Sequence, residues 1–330
     1  MYYRWKLALL MLSGVVLLNG VLFLMSVRAQ APEKGTIAFA TPRPPAGNLW
    51  LMDADGENPR AVPNVKGSVS GMTWSPDGRK IAYYSGVEPN NDEIFVIDAD
   101  GENLTRLTEH PKNDRWPTWH PNGQEIAFAS KRDGNLEIYV MNANGDAKQN
   151  ITNHPDADFD PSWSPDGRKI AFYTTRDGNA EIYVMDADGM DAQNLTNQNA
   201  EDIQPDWSPD SQKIAFVSDR RDGNDIFVIG VDGNNLKRLT NVPQPDTEPA
   251  WSPDGEKIVF TSARGGKVDI WVMDADGKGE PEKLTKEAHW NRSADWFDPA
   301  FAQRFSVSPA DKRPLTWGWL KRFGRALPQK

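Results

Sequence analysis

The chain has 330 residues, with 37 Lys and Arg against 47 Asp and Glu and a formal charge of −10. An acidic surface argues against nucleic acid as a partner, and the absence of cysteine excludes disulfides, thiolate nucleophiles and Cys-ligated metals. Thirteen Trp with 26 Gly and 25 Pro point to many short strands joined by tight turns rather than to long helices.

The first 31 residues form a segment of their own. Arg4 and Lys6 precede an apolar run from Leu7 to Val27, and Ala29-Gln30-Ala31 follows it. That order is a secretory signal with a small-residue cleavage site. The run is also long enough to span a bilayer once, so residues 1–31 are read as a signal peptide or an N-terminal membrane anchor. Either outcome puts the remainder outside the cytoplasm, periplasmic or membrane-anchored, with membrane contact only through this segment. Losing Arg4, Lys6 and Arg28 moves the formal charge from −10 to −13.

From residue 35 to residue 298 the chain repeats itself. Trp74, Trp119, Trp163, Trp207, Trp251 and Trp296 are spaced by 45, 44, 44, 44 and 45 residues, a period that marks a propeller or solenoid array. Each period reads as an apolar run ending in Trp, a turn such as SPDG, an I-A-F run, an RDGN-like turn, an I-Y-V-M run, D-A-D-G, and a short N-L-T segment. That predicts four strands per repeat. In WSPDG the Pro presets φ, the Asp caps the backbone and the Gly accepts positive φ. The Asp-Gly and Asn-Gly pairs of the other turns are hairpin signals.

The I-A-F strands start at Ile37, Ile81, Ile126, Ile170, Ile214 and Ile258. The third strands start at Leu49, Ile94, Ile138, Ile182, Ile226 and Ile270. Ile126 and Phe128 face one way and Ala127 and Ala129 the other, so both faces are apolar and both need cover. The chain opens on an I-A-F strand without a Trp strand and closes on a Trp strand without an I-A-F strand. The two fragments complete one blade. The predicted fold is therefore all-β, a monomeric six-bladed propeller of four-stranded antiparallel blades closed by the Trp296 strand in the first blade.

These motifs resemble the TolB-type, WD-like beta-propeller repeat family of bacterial exported proteins, and the likeness recurs in every blade. The resemblance implies a cell-envelope protein that contacts partner proteins. It covers the propeller alone: the family's namesake carries an α/β domain ahead of its blades, whereas here the first strand begins within a few residues of the apolar segment. Fold does not by itself assign function.

The loops before each Trp strand and the RDGN hairpins are expected on one face, with SPDG and DADG on the other. Five residues before the Trp stand Asp114, Asp158, Asp202 and Asp246, with Val69 and Asn291 in the other two blades; Asp160 and Glu248 add carboxylates nearer the channel. Such a ring would attract a cation or a basic partner group. Alternatively each Asp caps its own turn or pairs with an arginine of a neighbouring RDGN hairpin, for which Arg132, Arg176, Arg220 or Arg221, and Arg264 are the candidates. DADG at Asp53, Asp98, Asp186 and Asp274 lacks the remaining ligands of a calcium loop and reads as a hairpin turn. His110 and His154 hold equivalent repeat positions, and His120 and His289 are single histidines that read as structural. No G-x-S-x-G, H-E-x-x-H or P-loop occurs.

The leading expectation is a non-catalytic scaffold that binds an envelope protein or polymer ligand through the channel-mouth loops, without a cofactor. The alternative is a metal-dependent propeller enzyme of lyase or hydrolase type, using the channel carboxylates with a divalent cation. Residues 299–330 form a Trp-rich basic extension, in which positions 302–330 carry seven Lys and Arg against Asp311 alone. Leu320, Phe323 and Leu327 are spaced to share one face of a short amphipathic helix.

Overall fold

The computed structural model describes residues 17–18, 21–22, 30–43, 48–88, 91–221, 223–286 and 289–302. The predicted leader or anchor lies outside the described residues, apart from a two-residue ladder between Leu17–Leu18 and Val21–Leu22. The basic extension beyond Ala302 lies outside them too. No helix long and apolar enough to cross a membrane occurs among the described residues.

Six four-stranded antiparallel sheets make up the rest. In blade 4 the order from the centre outward is Asp158–Trp163, Lys169–Thr174, Glu181–Asp186 and Gln193–Asn194. Each inner strand touches the inner strands of both neighbouring blades, and the contacts close into a ring. In blade 1 the inner strand is Arg292–Phe297, paired with Thr36–Ala40 through Trp296↔Ile37 and Phe297↔Thr36. The last strand of the propeller thus completes its first blade, as the two sequence fragments require.

The turns form for the reasons their residues suggest. At 164–169 the Ser164 hydroxyl donates to Asp166 (2.6 Å) and accepts the Lys169 N–H (2.9 Å). Gly167 sits at φ +72°, where a Cβ would come within 2.8 Å of the His120 ring in the preceding blade. At the DADG turn, Gly189 has φ +83°, and a Cβ there would stand 2.0 Å from the Ile151 carbonyl. Glycine is required at both places by conformation and by the closeness of the neighbouring blade.

The cores lie between blades. Ala127, Ala129 and Ile138 of blade 3 pack against Trp163, Ile170, Phe172 and Tyr183 of blade 4, and the same small-against-large meeting joins blade 4 to blade 5 through Ala171 and Phe216. Phe39, Phe128, Phe172, Phe216 and Phe260 are fully buried, each stabilising the ring by roughly 1.5–3 kcal/mol relative to an exposed side chain. A single blade would leave both apolar faces in water.

Candidate functional site at the channel mouth

The RDGN hairpins and the starts of the inner strands share one face, because Asp158 pairs with Thr174 at the end of the second strand. The four repeated carboxylates are fully buried there. Arg132 reaches Asp114 at 3.0 Å, Arg176 reaches Asp158 at 2.8 Å, Arg220 reaches Asp202 at 2.7 Å and Arg264 reaches Asp246 at 2.6 Å. The hairpin is in every case that of the Asp's own blade, and in blade 5 the partner is Arg220. Each guanidinium also lies over two rings of its blade, as Arg176 does over Phe172 (5.4 Å) and Tyr183 (4.8 Å). Burial pushes the Asp114 carboxyl up, and Ser130 and Arg132 pull it back. Removing either partner would strand a buried charge, so these eight residues build the face.

Nearer the axis, every inner strand slips register near its start, after the second residue in blades 3 to 6 and after the first in blades 1 and 2. In blade 4 the pairing runs Phe159↔Tyr173 and then Ser162↔Ala171. The bulged residue takes a left-handed φ in all six blades: Gly71 +46°, Trp116 +51°, Asp160 +48°, Gln204 +56°, Glu248 +53° and Ser293 +51°. In four blades a Pro follows, namely Pro117, Pro161, Pro205 and Pro249, and a bulge is where a strand tolerates a residue without an N–H.

This bulge ring, one residue from each blade, divides into two halves. In the first, the Gln204 side-chain oxygen accepts the Glu248 N–H (3.0 Å), and Glu248 accepts from the N–H (2.8 Å) and hydroxyl (2.9 Å) of Ser293 and from the Thr261 hydroxyl (2.8 Å). These side chains tie blade to blade. In the second half, Gly71 leaves room for neighbouring rings; a Cβ on it would meet Tyr84 at 2.6 Å and Trp116 at 3.3 Å.

An aromatic arc follows across three blades. Tyr84 meets Trp116 edge-on at 5.9 Å, Trp116 meets Phe159 at 6.1 Å, and Phe159 stacks on Tyr173 at 4.7 Å. All four rings are only partly buried. Asp160 stands beside them, half-buried, and accepts no hydrogen bond from any described residue. Burial, reinforced by the charges of Glu248 and Asp206, pushes its carboxyl to about 7. Trp290, 67% exposed, lies on the same face immediately before Asn291, whose N–H bonds the Val268 carbonyl of the blade 6 hairpin.

Comparison with known proteins follows this architecture. The TolB beta propeller domain matches residues 34–206, 146–224 and 193–300. The chain belongs to the TolB beta propeller domain family. Among individual TolB proteins, the Tol-Pal system protein TolB of Thioalkalivibrio sulfidiphilus (strain HL-EbGR7) is 46% identical over 46 residues, a match spanning 14% of this chain and 10% of that protein. The crystal structure of TolB from Acinetobacter baumannii superposes with a TM-score of 0.68 at 25% identity, covering 79% of this chain and 66% of that one. Kuenenia stuttgartiensis hydrazine synthase shares the fold alone, with a TM-score of 0.69 at 15% identity over 83% of this chain and 48% of that one.

The opposite face of this TolB-family propeller is more uniform. A cavity of about 220 Å³ opens there among the Trp–Ser–Pro turns of the blades, with Asp206 and Asp295 in its wall. Those carboxyls accept the backbone N–H of Trp251 (2.8 Å) and Trp74 (2.7 Å), and burial raises them to about 7 and about 6. His120 lies edge-on to Trp163 at 4.6 Å with its proton affinity lowered by burial. No three His, Asp or Glu side chains converge as a metal-ligand set among the described residues.

Sequence reasoning missed one structural set and most of the arc. Glu93, Glu137, Glu181, Asp225 and Asp269 lie at or near the start of the third strands and are buried. Each accepts from the Thr of the N-L-T segment, as Glu181 does from Thr196 at 2.5 Å. The signal was present as an acid directly before every I-Y-V-like run from blade 2 to blade 6. The arc had no such signal, because its residues differ from blade to blade.

Proposed function

We propose that this chain is an exported, non-catalytic envelope propeller that docks a protein partner on the loop face around its channel mouth. One observation carries the reading: the channel-mouth face holds an exposed Trp290 and a half-buried arc of Tyr84, Trp116, Phe159 and Tyr173. Trp, Tyr and Arg are the side chains that dominate protein-protein hot spots, and on a monomer exposed aromatic surface of this kind marks an interaction site. The basic-apolar N-terminal segment supports export, and the Thioalkalivibrio relative is named as a Tol-Pal system protein.

The buried Asp–Arg pairs support a scaffold over a metal-dependent enzyme, since Asp114, Asp158, Asp202 and Asp246, four of the six candidate carboxylates, are already neutralised. The test is photo-crosslinking in cells, with a photoreactive side chain at position 290 and, as the control on the opposite face, at position 188. A discrete protein adduct from position 290 and none from position 188 is the expected result. Adducts from position 188 alone would overturn the reading.

A further inference from the structure

The propeller already shows what its carboxylates and aromatic rings accept. In four blades a buried Asp and two flanking rings hold one guanidinium, as Asp158, Phe172 and Tyr183 hold Arg176. The channel mouth again sets a carboxylate beside rings, but among the described residues no guanidinium is bonded to that carboxylate. Asp160 is bracketed in sequence by Phe159 and in space by Tyr84 and Tyr173, whose phenols feel its charge; Trp116 extends the aromatic surface.

The cations nearest this mouth are engaged elsewhere. Arg115 is bound to Asp92 at 2.5 Å while resting over the outer part of the arc, 5.8 Å from the Trp116 ring centre, and Arg292 bonds the Ser70 hydroxyl at 3.2 Å. The charges acting on Asp160 are those of Glu248 and Asp206, both negative. A positive group entering the mouth would therefore gain the field of Asp160 and Glu248 and the faces of the rings together. Glu248 is held by Ser293 and Thr261 and Asp206 by Trp251, which leaves Asp160 as the carboxylate that makes the contact.

We infer that the channel mouth is a receptor for one basic side chain, an arginine or lysine of the docked partner, seated against Asp160 and the arc of Tyr84, Trp116, Phe159 and Tyr173. The inference rests on the partner-docking reading of this face and names the chemistry by which the partner is recognised. A guanidinium has the planar shape that stacks on such rings, while an ammonium would use the same carboxylate as a point charge.

The probes are n-butylguanidinium and n-butylammonium, with uncharged n-butyramide as control, titrated into the ¹⁵N-labelled full chain while the indole N–H signals are followed. Saturable shifts of the Trp116 signal with the two cations, absent with butyramide, and about tenfold weaker binding in Asp160→Asn are expected. Retention of the other indole signals in Asp160→Asn shows that the variant is folded. Equal binding by Asp160→Asn and the parent, or equal shifts from butyramide, would overturn the inference. So would calcium chloride moving the Trp116 signal where the organic cations do not, since that assigns the mouth to a metal ion. A normal crosslink from position 290 beside a failed titration leaves the docking face standing and removes only the basic-side-chain receptor.

Discussion

Asp158 and Asp160 stand two residues apart on one strand and do different work. Asp158 is buried and neutralised by Arg176, whereas Asp160, at the left-handed bulge, has no such partner and feels the charges of Glu248 and Asp206 from other blades. The consequence is readable as a pH dependence. An unfolded chain releases the Asp160 proton near the ordinary carboxylate value, while the folded protein keeps it to about 7. Folding therefore takes up a proton between those limits, and this site's contribution to stability falls as pH rises through that window. Asp160→Asn removes the charge and should raise the unfolding free energy by about 1 kcal/mol at pH 8, the gain vanishing only by about pH 4, where both states hold the proton. Urea denaturation at the two pH values checks this; a loss of stability at pH 8 would contradict it. The repeated Asp and its Arg were legible because both recur at fixed offsets from Trp and RDGN. The setting of Asp160 was legible only as proximity to the channel, because the one periodic mark of the register slip, the Pro that follows it in four blades, says nothing of what the residue before it meets. Trp116 and Phe159 escaped because each occurs in one blade only.

Strand order and turn type followed from local chemistry, since period-two alternation and Pro, Asp and Gly at set positions act within a few residues of one another. Two features depended on more distant partners. The second and third strands extend to Lys80–Glu88 with Asn91–Asp98 in blade 2 and to Lys213–Arg221 with Gly223–Gly230 in blade 5, where the hairpin sequence departs from that of blades 3 and 4. The outer strands shrink to two residues, and in blades 2 to 6 they are held by the Thr–carboxylate clamp instead of a long ladder. In blade 4 the Thr196 hydroxyl accepts the Ile182 N–H at 3.1 Å and donates to buried Glu181. Thr196→Val should then cost about 1–2 kcal/mol, because it leaves a buried acceptor and donor unmet. Amide hydrogen exchange should show Leu195 losing protection while Ala171 keeps it. Equal loss at both amides would mean that the outer strand does not open by itself.

At the scale of the molecule, six blades and the closing strand give two faces of different character. The Trp–Ser–Pro face is nearly the same in every blade, and its residues hold turns and join neighbouring blades. The hairpin face has the same Asp–Arg pair in four of its six blades and, inside these, a bulge ring with a different residue in each blade. The repeated positions build the blades, while the differing bulge positions either tie blade to blade, as Gln204, Glu248 and Ser293 do, or border the aromatic arc to which docking is proposed. That division was within reach of the sequence for the framework and out of reach for the recognition surface, because stacking contacts among Tyr84, Trp116 and Phe159 join residues from successive blades. The most direct test is titration of the partner crosslinked at position 290 against the parent chain and Trp290→Ala, with urea unfolding of both proteins alongside. We predict binding at least about tenfold weaker in Trp290→Ala with an unchanged unfolding midpoint; equal affinity for the two proteins would contradict the assignment of this face to recognition.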